Sequence, residues 1–276
     1  MRALCRTFLV SAVVGGCVAA SACSLFTSLE GYGSGEISQE PADAAAGADA
    51  VASETSVSDS GDDGGGDTSP FCASLMPRPT ICEDFDSEPP LDGWNVSEIG
   101  TGSNVATTTG TFRSAPAALR AEIGSSPETR RAYIDRSLGT VVSHARLGYS
   151  LYIDERPTSG ELEVNVLRFN SAQGAGDFFL SVTPADVSYV QQRGDRTTIP
   201  LSRSIPLKTW VRIELEVVLT GAKTVTVRVD GIEAAKEPAI YAIPATPRVA
   251  AGITYTGSSP DAGVVLVDDL TFEILE

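Results

Sequence analysis

Residues 71–276 are expected to form an all-β, two-sheet antiparallel sandwich, preceded by an export signal and an acidic linker. Three observations predict this. From Phe71 onward Val, Ile, Thr, Tyr and Phe recur in short runs bounded by Gly, Pro, Asn and Asp, the composition of strands and turns. The runs alternate apolar and polar, so each strand buries one face, which is the pattern of two stacked sheets. No stretch carries the periodicity of a long helix.

The first element is residues 1–23. Arg2 and Arg6 precede a short apolar run, Phe8 to Val14, and small residues follow. The run is too short for a spanning helix and reads as a signal peptide. Ala20-Ser21-Ala22-Cys23 resembles a bacterial lipoprotein processing site, with Cys23 as the lipidated residue. Ala20 departs from the leucine usual there. Val14-Gly15-Gly16-Cys17 is a rival match, and cleavage without lipid after Ala22 is the alternative. Ser24, rather than an aspartate, is compatible with outer-membrane sorting in a Gram-negative cell. The expected address is therefore a membrane, reached through an N-terminal lipid.

Residues 24–70 contain ten carboxylates and no Lys or Arg, among Ala, Ser and Gly. Such a stretch cannot bury enough apolar area to offset its ordering entropy and is expected to be a disordered, self-repelling linker. The chain's net charge of −16 divides into +2 from the signal, −10 from the linker and the remaining −8 on residues 71–276. That balance excludes nucleic acid as a partner, since displacing counterions needs a basic footprint.

Cysteine arithmetic follows from export. Of five cysteines, Cys5 and Cys17 leave with the signal and Cys23 takes the lipid. The pair left over, Cys72 and Cys82, reads as a disulfide.

Thirteen strands are expected from residue 81 onward. The clearest is 210–217, in which Ile213, Leu215 and Val217 face one side and Arg212, Glu214 and Glu216 the other. Thr224 to Val229 repeats it. Leu162, Val164 and Val166 alternate with Glu161, Glu163 and Asn165, and Leu147, Tyr149, Leu151 and Ile153 with Arg146, Ser150, Tyr152 and Asp154. The remaining strands fall near 81–86, 93–98, 104–109, 117–123, 130–138, 177–183, 186–193, 248–256 and 264–275.

Three motifs carry a resemblance. Cys82-Glu83-Asp84-Phe85-Asp86 leads to Gly93-Trp94; Trp210-Val211-Arg212-Ile213 is followed by Val227-Arg228-Val229-Asp230-Gly231; and Val267-Asp268-Asp269-Leu270-Thr271-Phe272 stands near the end. Together they resemble the concanavalin A-like lectin/glucanase jelly roll in its laminin-G-like form. The resemblance implies that first and last strands pair and that the function concerns glycans. The early Phe…Gly-Trp and the Asp-Asp-Leu ending also resemble galactose-binding-like carbohydrate modules, and the whole layout resembles surface lipoproteins of myxobacterial type.

The glucanase signature of that family, Glu-x-Asp-x-x-Glu, has carboxylates at two of its three positions. Glu161 and Glu163 supply two carboxylates, and the third position is Val166. A solvated outer face explains the pair equally well, as it does Glu214 and Glu216. His144, the chain's one histidine, is expected in an exposed loop. Glu83 and Asp268 fall on the apolar parity of the first and last strands. With Asp84, Asp86 and Asp269 they are candidate ligands of a structural Ca²⁺, as in jelly-roll carbohydrate modules. Backbone hydrogen bonds or a bulge are the alternative. Trp94, Tyr152, Asn165, Tyr189, Gln191 and Arg193 are the candidate sugar contacts on polar faces, although Trp94 also suits a core. The resulting expectation is a surface lipoprotein whose sandwich recognises a glycan without cleaving it. The alternatives are a glycan hydrolase or lyase, and a structural or adhesion module.

Overall fold

The computed structural model describes residues 71–87, 89–256 and 261–275. The expectations for the signal peptide, Cys17, Cys23 and the linker over 24–70 lie outside them.

The described residues form fifteen strands and one helical turn, α1 (Phe71–Ser74). The first sheet runs in the order β13 (Ile232–Pro238), β12 (Thr224–Val229), β11 (Val211–Val218), β6 (His144–Glu155), β15 (Gly263–Ile274), β4 (Ala118–Ile123) and β3 (Asn104–Thr108), and β1 (Ile81–Glu83) also pairs with β15. The second runs β10 (Asp195–Pro200), β9 (Val187–Arg193), β8 (Gly174–Val182), β7 (Leu162–Ser171), β14 (Thr246–Thr256), β5 (Arg131–Ser137) and β2 (Asn95–Ile99). Every pairing between these strands is antiparallel, and the chain's first and last strands are neighbours, Ile81 opposite Phe272. This is the two-sheet sandwich that the alternation predicts.

Its core lies between the sheets. Leu147, Tyr149, Leu151 and Ile153 of β6 pack with Ile213, Leu215 and Val217 of β11 from one side. Phe169, Phe178, Leu180 and Ile253 close it from the other. Burying a large apolar side chain contributes about 1.5–3 kcal/mol, so this layer dominates stability. Cys72 and Cys82 are bonded, with Cα atoms 5.7 Å apart. The bridge holds α1 against the outer face of the first sheet, where the Phe71 ring lies 5.6 Å from the Arg212 guanidinium.

Two bulges alter the expected parity. In β7, Asn165 adopts φ 52° and the register shifts between Val164 and Leu167. Leu162 and Val164 therefore point inward, but Leu167 replaces Val166 in the core. In β15, Asp269 adopts φ 51° and the register shifts between Asp268 and Thr271. Leu266 and Asp268 consequently lie on the opposite face from Leu270 and Phe272, rather than sharing it. Two strands escape the sequence pattern, β10 and β13. Both are sheet edges whose residues are mostly exposed on either side, so neither shows one-sided alternation.

Candidate functional site

The outer face of the second sheet carries a groove of about 380 Å³, within the size range of ligand sites. The Asn165 bulge builds it. Asn165 Oδ1 accepts the Gly252 N–H at 2.7 Å. Gly252 has φ 105°, and a Cβ there would stand 2.6 Å from the Ala132 carbonyl oxygen, so only glycine fits. This buried link flips β7 in mid-strand, and Glu163, Val166 and Arg168 all emerge on the groove side.

Strand register then aligns the polar groups. Arg248 of β14 stands opposite Arg168 of β7, Arg168 opposite Asp177 of β8, Asp177 opposite Gln192 of β9, and Gln192 opposite Arg196 of β10. The five form one row across five strands, about 19 Å long at the usual strand spacing. A second row holds Tyr255, Glu163, Ser181, Ser188 and Pro200. Phe179 and Val190 lie between the rows, and Arg131 and Tyr133 of β5 close one end.

The arginines are held rigidly. Arg168 forks onto Asp177 at 2.5 and 2.7 Å. Arg248 forks onto Asp135 at 2.9 and 2.7 Å, with its guanidinium 5.9 Å from the Tyr133 ring centre. Such bidentate pairs fix the guanidinium plane. Arg196 ion-pairs with Glu161 and, at 3.7 Å, with Glu163, and packs over Phe179. Arg131 makes no ion pair among the described residues, and its buried Nε has no hydrogen-bond partner. Burial pushes the Glu163 carboxyl up to about 7; Arg196 opposes the shift, and Glu161 and Asp177 add to it.

Of the residues expected from sequence, Glu161 and Glu163 reach this face. Asn165 shapes the groove from inside instead of contacting a ligand. Tyr189 and Gln191 have the opposite parity to that expected: each is 1% exposed and faces the core. Gln191 is bonded to Pro238 and Ile240. The outward residues of β9 are Ser188, Val190 and Gln192. Trp94 is 8% exposed, and its indole N–H donates to Glu83 at 2.9 Å. Arg193 sits at the end of β9 beside the Tyr241 ring, 5.3 Å from its centre. Tyr152 packs beside Trp210, ring centres 5.3 Å apart and planes tilted by 48°, on the outer face of the first sheet. His144 opens β6 on that same face rather than lying in an exposed loop, and it bonds Glu216 at 3.1 Å. Burial would raise the Glu216 carboxyl, but its bonds to Arg228 and His144 outweigh this and hold it low.

The acidic residues expected around calcium are engaged in hydrogen bonds to backbone and side-chain donors. Glu83 accepts from Phe85 and Trp94, Asp84 from Cys72, and Asp86 from Ala117. Asp268 accepts the N–H groups of Arg113, Ser114 and Asp269 at 2.7, 3.0 and 2.8 Å, and Asp269 accepts the hydroxyls of Ser114 and Ser150. Burial, then Asp269, pushes Asp268 up to about 7. Among the described residues no three His, Cys, Asp or Glu side chains are placed to share a metal ion. The expected cage of Glu83, Asp84, Asp268 and Asp269 is therefore not assembled.

The groove arginines, Asp177, Tyr133 and Tyr255 are not among the residues expected from sequence. Their alignment depends on strand register and on the linked irregularities at Asn165 and Gly252.

No protein-family model and no curated protein matches the chain. Among solved structures it is similar to the endo-β-1,4-glucuronan lyase of the fungus Trichoderma reesei, with a TM-score of 0.57 and 11% identity over 71% of this chain and 96% of that one. It is also similar to the cellulose induced protein Cip1, with a TM-score of 0.56 and 13% identity over 71% and 97%. At these identities the likeness is one of fold.

Proposed function

We propose that the groove on the second sheet binds an acidic polysaccharide, and that the protein recognises this glycan without cleaving it, displayed at the cell surface through lipid on Cys23. The observation that carries the reading is the row Arg248–Arg168–Asp177–Gln192–Arg196, with Arg131 on the β5 side of the groove beside Tyr255. A row of rigid guanidinium groups perpendicular to the strands suits a chain-like ligand bearing carboxylates, each able to take a fork-like pair of hydrogen bonds. The fold neighbour named as a glucuronan lyase agrees with an acidic polymer. Recognition is favoured over hydrolysis because Glu161 and Glu163 are both tied to Arg196, and Val166 stands where the glucanase signature needs its third carboxylate.

A lyase or hydrolase is the second reading. Glu163 favours it, since a carboxyl titrating near neutral pH suits general acid–base work. Affinity electrophoresis against acidic and neutral polysaccharides tests binding. Incubation with the bound polymer, followed by assays for new reducing ends and for unsaturated products, separates the readings. Retardation by acidic polymers without product is the expected result. Product that disappears in Glu163→Gln would favour the enzyme, and no retardation by any acidic polymer would refute both.

A further inference from the structure

The second sheet's outer face does not end at Arg196. Beyond that side chain lies a further depression, lined by Ser181, Thr183, Asp186, Ser188, Thr198 and Pro200, with Glu161 at its margin. Arg196, clamped on Glu161 and Glu163 and packed over Phe179, separates the two compartments.

Their chemistry differs. The first compartment is lined by four arginines, Arg131, Arg168, Arg196 and Arg248, against two carboxylates, Glu163 and Asp177, with the rings of Tyr133, Phe179 and Tyr255. The second has no aromatic ring and no cation other than the shared Arg196; its lining is hydroxyl groups and the carboxylates of Glu161 and Asp186. A carboxylate-bearing sugar fits the first and is repelled by the second, where like charges would face each other. Hydroxyls and carboxylates instead suit the hydroxyl groups of a neutral sugar. Strand spacing places the two compartments on one continuous face, about 24 Å from β5 to β10. One polymer chain can therefore occupy both.

Resting on the acidic-glycan reading, we propose that the ligand is a heteropolysaccharide that carries both uronate and neutral sugars: uronate sits in the arginine-lined compartment, and a neutral unit lies beyond Arg196 over Thr198.

The test compares three polymers on the purified protein by calorimetry and affinity electrophoresis: a polyuronate homopolymer, a neutral homopolymer, and one alternating uronate with neutral hexosamine. The alternating polymer is expected to bind at least about tenfold more tightly than either homopolymer, the gain of one well-made charged or shape-matched contact. Thr198→Trp, at an exposed edge position, should abolish that preference while leaving polyuronate binding and the melting temperature unchanged. Asp186→Asn, which keeps the side-chain oxygen that Thr183 uses, should raise polyuronate affinity about threefold by removing a surface repulsion. Arg131→Ala should weaken both acidic polymers. If polyuronate binds as tightly as the alternating polymer and neither Thr198→Trp nor Asp186→Asn alters the ratio, the mixed ligand is refuted while acidic-glycan recognition stands. If no acidic polymer binds, or Arg131→Ala has no effect on those that do, the underlying reading fails as well.

Discussion

Glu163 should make both stability and ligand affinity depend on pH. Its side chain is 15% exposed and its pKa is raised from 4.5 to about 7, chiefly by burial. In the unfolded chain the carboxyl ionises near 4.5; in the folded chain it keeps its proton until about 7. Folding is therefore favoured by this group below about pH 4.5, and the contribution fades as pH rises to 7. At about 1.4 kcal/mol per tenfold change in proton affinity, the total is about 3 kcal/mol. Glu163→Gln removes the titration and keeps the shape. Asp268 shifts in the same direction and is common to both proteins, so the difference between them isolates Glu163. Denaturant melts at pH 4.5, 6 and 8 should show the wild type losing about 3 kcal/mol relative to the variant across this range. A constant difference, within about 1 kcal/mol, would refute the assignment, given the usual uncertainty of such extrapolations. The same proton governs the groove's charge, where four arginines face Asp135, Glu161, Glu163 and Asp177. Lowering pH from 8 to 6 should tighten binding of an acidic polymer in the wild type and leave Glu163→Gln unaffected.

Other perturbations test the scaffold. Asp268→Ala leaves three N–H groups without their acceptor, and chemical denaturation should show a loss of about 3 kcal/mol or more, at 1–3 kcal/mol for each orphaned group. Cys82→Ser opens a loop of ten-residue separation and should cost about 2–3 kcal/mol under non-reducing conditions, with no further loss when reductant is added. Gly252→Ala puts a Cβ against the Ala132 carbonyl at an unfavourable φ; a melt should show a loss of about 2 kcal/mol or more, and acidic-glycan binding should fall with it because the Asn165 bulge is disturbed.

The architecture was legible because buried strands announce themselves. Ile213, Leu215 and Val217 alternate with charged residues, and the structure buries the first set and leaves the second half-buried on the outer face. The Cys72–Cys82 bridge followed from parity of cysteine number. What failed was phase. A single left-handed residue, Asn165 or Asp269, reverses every side chain that follows it, and asparagine and aspartate are ordinary on an outward face. Tyr189 and Gln191 failed for a related reason: both parities of β9 are largely buried, so nothing in its sequence says which side faces the groove. The site itself was harder still. Arg248 and Arg168 are eighty residues apart in the numbering, and only pairing through β14 and β7 makes them neighbours.

The position of the disulfide has a mechanical consequence. The chain enters the sandwich at Phe71, over Arg212 on the first sheet, whereas the groove opens on the second. With a polymer held in the groove and the chain anchored through Cys23, both as proposed, a pull between the two would cross the sandwich through its thickness. At Cys72 the tension passes through the sulfur atoms to Cys82, so the segment between them is bypassed and cannot be peeled away. Cys82 lies opposite Thr271 of β15, an interior strand of its sheet. The load is thus delivered to β1, which pairs only with β15 among the described strands, so the few hydrogen bonds between these two strands are the first that must shear.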